Sequence, residues 1–330
     1  MNLGRAATLL RSDLLRAITL LVLALLFALA LPVQAHAPEK SADTLRVVSV
    51  SPGIWALVGP IGGPSRDNHA LNATYGVVAT PEGTILIDSG ASVQGARILA
   101  EMAQQLTGKP VRWVVNTGSQ HHRWFGNEQM QKASAQVIAH TRTVQTQRTL
   151  ASAQTAELQA LLGERFDGTL PAHADRLVSG ARTELRLGGV RIELHDLGDA
   201  HFPGDAVVWL PAAKIAFTGD LVYVERLLSL AAQSNGPSWL AAFERFVALA
   251  PAQIVPGHGN PTDVATAQAQ TGAYLRFVVV GVERHAKEMT GIEAALAELG
   301  EAPPFSELAN FAQLHLANIN RAYLRAEAGD

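Results

Sequence analysis

From about residue 45 the chain alternates short apolar runs with turn residues. Residues 47–50 and 54–58 are rich in β-branched and apolar side chains and are separated by Pro52-Gly53, which predicts two short strands. Residues 72–79 and 84–88 flank Pro81-Glu82-Gly83 and read as a hairpin ended by Ser89-Gly90. The period then changes. Val93, Ala96, Leu99, Met102 and Leu106 recur at helical spacing, and residues 110–116 return to a strand pattern. Functional sites tend to collect beyond the carboxyl ends of such strand–helix–strand units.

The second half repeats the scheme. Residues 127–135 are expected to be helical, 136–140 a strand, and the Ala-, Gln- and Thr-rich stretch 141–163 an exposed helix flanking the site. Strands are expected at 183–187, 190–194, 206–210 and 214–218. Ser238 is expected to cap a helix over 239–249, and 252–259 to form a last strand and a glycine-rich turn. Helical patterns over 263–288, 291–299 and 306–328 complete the chain. No linker-like stretch interrupts this pattern, so residues 38–330 form one α/β domain whose helical tail spans about 263–330.

The N-terminus follows a different logic. Arg5, Arg11 and Arg16 precede an apolar run over 17–31, followed by Ala35-His36-Ala37, the form of a secretory signal peptide over 1–37. The expected location is therefore the periplasm or the extracellular space. The alternative is an uncleaved membrane anchor, for which the run is short against the roughly 20 residues a span needs. The chain has no cysteine, so an exported form has no disulfide to stabilise it and any metal site must use His, Asp, Glu or Gln. With 26 basic and 29 acidic residues and no long run of either, nothing favours nucleic acid as a partner. A small molecule, anionic in one reading, is the expected partner, and the sequence leaves the oligomeric state open.

Chemistry-bearing residues fall into ordered motifs. They are Leu86-Ile87-Asp88-Ser89-Gly90, the segment from Asn116-Thr117-Gly118-Ser119-Gln120 through His121-His122-Arg123-Trp124-Phe125-Gly126-Asn127, Ala200-His201-Phe202-Pro203-Gly204-Asp205, Phe217-Thr218-Gly219-Asp220-Leu221-Val222-Tyr223, and Val255-Pro256-Gly257-His258-Gly259. In order and spacing they resemble the metallo-β-lactamase-fold metallohydrolases, and most closely the exported branch called quinoprotein relay system zinc metallohydrolases, whose helical tail is similar to residues 315–323. The resemblance implies a four-layer αβ/βα sandwich.

It also implies where metal ligands would stand. The family loop reads Asn-Thr-His-x-His-x-Asp-His, and here those four ligand positions carry Gly118, Gln120, His122 and Arg123. The first zinc site therefore keeps only His201. At the second, His122, Asp220 and His258 remain, with His201 across the cavity as a fourth candidate for one zinc ion. Asp220 and Arg123 are the expected catalytic pair, with Arg123 binding an anionic group or a developing oxyanion. Asp88, Gln120 and His121 are expected in supporting or substrate-facing roles, and Asp205 as a structural residue at a strand end. Two functions follow. One is an exported single-metal hydrolase acting on an ester, thioester or amide through metal-activated water. The other is an inactive relative that binds a ligand without turnover, with or without metal.

Overall fold

The computed structural model describes residues 45–329, so the expected signal segment lies outside the described residues. Among the described residues, twelve strands form two sheets. The first holds, in chain order, β1 (Arg46–Ser51), β2 (Ile54–Val58), β3 (Thr74–Ala79), β4 (Thr84–Ile87), β5 (Val111–Val115), β6 (Gln136–His140) and β7 (Arg176–Val178). Strands β1 to β4 pair antiparallel, and β4 to β7 run parallel. The second sheet has the order β12 (Gln253–Val255), β11 (Ile215–Phe217), β10 (Val207–Leu210), β9 (Val190–His195), β8 (Arg182–Leu187), all antiparallel except the parallel pair β11–β12.

Strand periodicity divides the side chains between layers. Ile85, Ile87, Val115 and Ile138 of the first sheet pack against Leu194, Val208, Ile215 and Phe217 of the second. Leu86, Val114 and Val137 point the other way, onto Ala96, Leu99 and Ala103 of the helix Val93–Thr107. The opposite faces of β10 and β11 carry Val207, Trp209 and Ala216 into a cluster with Trp239, Phe243 and Phe246 of the helix Gly236–Val247. Tyr274, Leu275 and Val278 of the helix Ala273–Glu288 join that cluster, as do Ile319 and Tyr323 of Phe311–Ala328. The expected helix–sheet–sheet–helix layering results, and the helical tail packs on its own domain.

Three local expectations need correction, and one strand had not been expected. The helix expected to be capped by Ser238 is capped by Asn235, whose side chain accepts from the Ser238 amide, and Pro237 lies in the first turn, where its missing N–H costs nothing. The stretch 263–288 is not one helix. A π-helical turn, Gln268–Gly272, separates Val264–Ala267 from Ala273–Glu288. Within that turn Thr271 Oγ1 accepts from the Tyr223 amide (3.0 Å) and donates to the Tyr223 carbonyl (2.5 Å). The helix Thr141–Leu162 does not simply cover the site with an exposed face, because its Gln147 and Gln154 are buried. Strand β7 is a three-residue edge that no pattern announced.

Candidate active site

The segments following β4, β5, β9, β11 and β12 supply every motif residue, and close backbone approach holds three of them together. A Cβ at Gly219, whose φ is +50°, would lie 2.4 Å from Thr117 Oγ1, and one at Gly257 would lie 2.3 Å from the Gly219 carbonyl. Only glycine permits this spacing. Asp88 closes β4 with a φ of 67°, a strained value for a residue with a side chain. Its carboxylate compensates by accepting from the Thr117 amide and hydroxyl, both at 2.7 Å. Asn116 and Asn127 exchange side-chain amide hydrogen bonds, and Asn116 Nδ2 donates to the Arg123 carbonyl at 2.9 Å. Gln147 and Gln154 donate to the carbonyls of Gly118 and Ser119. This frame around the loop after β5 therefore fixes the backbone that carries His121, His122 and Arg123.

Arg123 is fully buried and lies beneath the site. Its Nε and Nη2 donate to Asp220 Oδ2 (3.2 Å) and Oδ1 (2.7 Å). Nη1 donates to Asp88 Oδ2 (3.0 Å) and the Thr74 carbonyl (3.2 Å), and Nη2 also donates to the Gly257 carbonyl (3.0 Å). A guanidinium has five N–H groups, and these five hydrogen bonds use them all. Arg123 therefore has no donor left for a substrate anion or an oxyanion, the role expected for it from the sequence. Its charge is offset by two carboxylates. Burial would lower its pKa, but Asp220 and Asp88 hold it above the usual arginine value. Burial raises Asp88 to about 6 against the pull of Arg123 and Thr117, whereas Arg123 and His122 overcome burial at Asp220 and hold that carboxyl well below the usual range.

Above Asp220 stand two imidazoles. His122 Nε2 lies 3.2 Å from Asp220 Oδ2, and His258 Nε2 lies 3.2 Å from Asp220 Oδ1. The ligand atoms of all three residues fall within 4.8 Å of one another. Two ligands each about 2.1 Å from a tetrahedral ion stand roughly 3.4 Å apart, so the spacing suits one. The tautomer of His258 strengthens the fit. Its Nδ1 is 3.0 Å from the Asn72 carbonyl, which can only accept, so Nδ1 carries the proton. In a neutral ring Nε2 then presents a lone pair to the Asp220 oxygen. A proton or a metal ion must lie between them, and burial, which lowers the His258 pKa to about 4, disfavours the proton. A second nitrogen fixed by a backbone carbonyl is also the usual support of a metal-bound histidine.

The other expected residues lie around this triad. His201 is buried but outside the cluster, with Nδ1 3.3 Å from Ser234 Oγ and its ring against Trp239 and Tyr223. His121 packs edge-on to His122 and lies 3.8 Å from Glu157, with its Nδ1 unpartnered. Gln120 Oε1 is buried without a hydrogen bond. A Cβ at Gly118 would meet Asp205 Oδ1 at 2.8 Å, so the space beside this loop position belongs to a carboxyl group, whose Oδ2 accepts from the Phe202 amide. Two neighbours had no role assigned to them from the sequence. Tyr223 stacks on His258 with centroids 4.7 Å apart, and Arg226 Nη1 reaches to 3.5 Å from His258 Nδ1. The position of Tyr223 three residues after Asp220 was the only available signal.

Burial also lowers His201 to about 4. As pH falls from the ordinary histidine value near 6.5 towards 4, the unfolded chain binds protons that His201 and His258 refuse when folded, so stability falls. Asp88 and Asp205 act in the opposite sense, because burial raises their folded pKa values, but burial also holds His122 below the ordinary histidine value, so two carboxyls stand against three imidazoles. Chelator-treated protein is therefore expected to unfold at lower urea concentration at about pH 4.5 than at about pH 7.5. Equal midpoints would contradict these shifts.

Comparison with known proteins agrees with this fold. Solved structures with similar folds include a metallo-β-lactamase from Pontibacter korlensis (23% identity, TM-score 0.56, covering 70% of this chain and 99% of that one). The FIM-1 metallo-β-lactamase of Pseudomonas aeruginosa in its mono-zinc form gives 18% identity and a TM-score of 0.56 over 70% of this chain and 95% of that one. The sec-alkylsulfatase Pisa1 from Pseudomonas sp. gives 16% and 0.64, over 87% of this chain and 51% of that one. The model of the metallo-beta-lactamase superfamily matches residues 70–258, over half of the chain and every motif from Asp88 to His258. This chain belongs to the metallo-β-lactamase superfamily.

Proposed function

We propose that this protein is an exported hydrolase with a single metal ion, zinc by family chemistry, held by His122, Asp220 and His258. The observation that carries this reading is the bare Nε2 of His258 facing a carboxylate oxygen at 3.2 Å in a buried site. A bound ion would lower the pKa of a water and polarise an ester, thioester or amide carbonyl. The protein's own residues supply the rest. Arg123 and Asp88 fix the Asp220 carboxylate from below, and the Asn72 carbonyl sets the His258 ring. Tyr223, held by Thr271 and stacked on His258, walls the site and limits water. With Gly118 and Gln120 in place of two imidazoles, a second ion has no adequate donor set beside His201.

Export rests on the signal-like run over 17–31, and placement in the quinoprotein relay branch rests on the motif likeness and the helical tail. Among the described residues no helix is long and apolar enough to cross a membrane. The alternative, ligand binding without turnover, is favoured by one observation: both Asp220 oxygens already accept from Arg123.

Metal analysis separates the two. Protein purified without chelator is expected to carry about one zinc per chain, and His258→Ala to carry far less. Metal content that is negligible, or unchanged in His258→Ala, would overturn the hydrolase reading. Metal-dependent hydrolysis of a generic ester would overturn the alternative.

A further inference from the structure

The helical tail helps to form a cavity that none of the triad residues lines. Its volume is about 680 Å³, and it is bounded by the loop over 230–237, the helix Ala273–Glu288 and the helix Phe311–Ala328. Most of the wall is apolar. Leu230, Pro237, Val279, Val282, Ala286 and Leu324 line it, and Leu324 is left 55% exposed. That size and lining are those of a small-molecule site. The charged groups at the cavity are Lys287, Arg321 and Arg325 against Glu283 alone. Among the described residues no carboxylate stands within ion-pair distance of the three cations.

The two arginines are held in place but not satisfied. Arg321 Nη1 donates to the Leu230 carbonyl at 2.7 Å. Arg325 Nη1 donates to the Ser234 carbonyl at 2.6 Å and lies 3.5 Å from the Ala232 carbonyl. These bonds fix both guanidiniums against the 230–234 loop and use one side of each. The other side of Arg325, its Nε–Nη2 edge, meets no acceptor among the described residues, and Nε is buried. Arg123 grips Asp220 with that same pair of donors. A buried donor left unpaired is costly, and a carboxylate from outside the chain would satisfy this edge with two charge-assisted hydrogen bonds. We propose that the cavity binds a carboxylate with an apolar body. The carboxylate lies on the Nε–Nη2 edge of Arg325, Arg321 and Lys287 add positive charge, and the hydrocarbon covers Val282, Ala286 and Leu324. A bare inorganic anion would leave that wall wet, and a neutral apolar molecule would leave Arg325 unpaired. This site does not rest on the hydrolase reading, because it needs neither metal nor turnover.

The test uses the whole chelator-treated protein and isothermal titration calorimetry at fixed ionic strength. The probes are sodium octanoate, its neutral isostere octanamide, and sodium acetate, which keeps the carboxylate and lacks the apolar body. Octanoate is expected to bind, and each of the others at least about tenfold more weakly. Arg325→Gln should weaken octanoate binding at least about tenfold, with Arg325→Lys falling in between because it keeps charge but loses the planar fork. Ala286→Phe, which fills the cavity and alters no charge, should weaken it by a similar factor, about tenfold. Should the Gln or Phe variant fail to fold, by circular dichroism, the Lys variant carries the comparison. Equal binding by the folded variants and wild type, equal binding of octanoate and either control, or no binding of octanoate would overturn the proposal.

Octanoate binding is expected to be unchanged in His258→Ala. Its loss in that variant, folded, would move the ligand to the triad and overturn the proposal. Sedimentation with phosphatidylglycerol vesicles that needs Arg325, in a protein that does not bind octanoate, would assign this face to an anionic membrane surface and likewise overturn it. Octanoate binding that depends on Arg325 in a protein holding no zinc would support the site while removing the hydrolase reading. Zinc binding without octanoate binding would do the reverse.

Discussion

Arg123→Met is expected to lower the unfolding free energy by about 3–5 kcal/mol, the range for breaking a buried ion pair from one side. The loss comes mainly from what remains. Asp220 and Asp88 would be left buried with their cation gone, and the Thr74 and Gly257 carbonyls would each lose a donor. Methionine fills similar space, so a cavity adds little. The penalty should also depend on pH. Burial already holds Asp88 at about 6, and removing Arg123 removes the main force opposing that rise. A carboxyl whose folded pKa lies above its unfolded value loses stability as pH rises towards the folded pKa, so the variant should suffer more at about pH 8 than at about pH 5. Arg123→Lys, which keeps the charge but cannot span Asp220, Asp88 and two carbonyls, should fall between. Urea unfolding of metal-free protein measures all three, and a loss below about 1 kcal/mol for the Met variant would show that the network contributes little.

That network also shows what the sequence could and could not convey. The layers were readable because alternation in β4 and β10 sends Ile85 and Val208 inward and Leu86 and Trp209 outward. The support given by Asp88 was readable through its motif. The role of Arg123 was not, because its partners come from β3, the end of β4 and the loops after β11 and β12, and only the assembled register brings Thr74, Asp88, Asp220 and Gly257 around one side chain. Its place at a position where the resemblance puts a metal ligand suggested a cation facing the cavity, whereas packing turns it beneath Asp220. His201 sits at the expected place in the chain, but its ring nitrogen faces Ser234 from a loop the motif does not include. The π-turn was hidden for a similar reason. Residues 263–288 are periodic enough for a continuous helix, and the turn carries the Thr271 contact to Tyr223, a residue 48 positions away.

Asp220→Asn is expected to abolish stable metal binding, and with it metal-dependent hydrolysis, because the one anionic donor of the triad becomes a neutral amide. The same variant should destabilise the metal-free protein, since Arg123 loses the carboxylate that takes two of its hydrogen bonds and keeps only Asp88 as a counter-charge. These two effects have different origins, and a double-mutant cycle separates them. In chelator-treated protein the pair Arg123→Met and Asp220→Asn should cost less together than the sum of the single changes, by about 1–3 kcal/mol, because the Arg123–Asp220 ion pair is lost in either single variant and cannot be lost twice. In metal content the cycle should behave differently. Asp220→Asn alone is expected to reach background, and adding Arg123→Met cannot restore the lost ligand. Arg123→Met alone tests the position of the guanidinium. If Arg123 acts only as a support beneath Asp220, zinc affinity should fall by about 10–100-fold, as for other groups that orient a ligand from behind. If it competes with the ion for the carboxylate, affinity should rise. A rise would move the protein towards the ligand-binding alternative, with Arg123 occupying the charge position that a metal takes in a hydrolase.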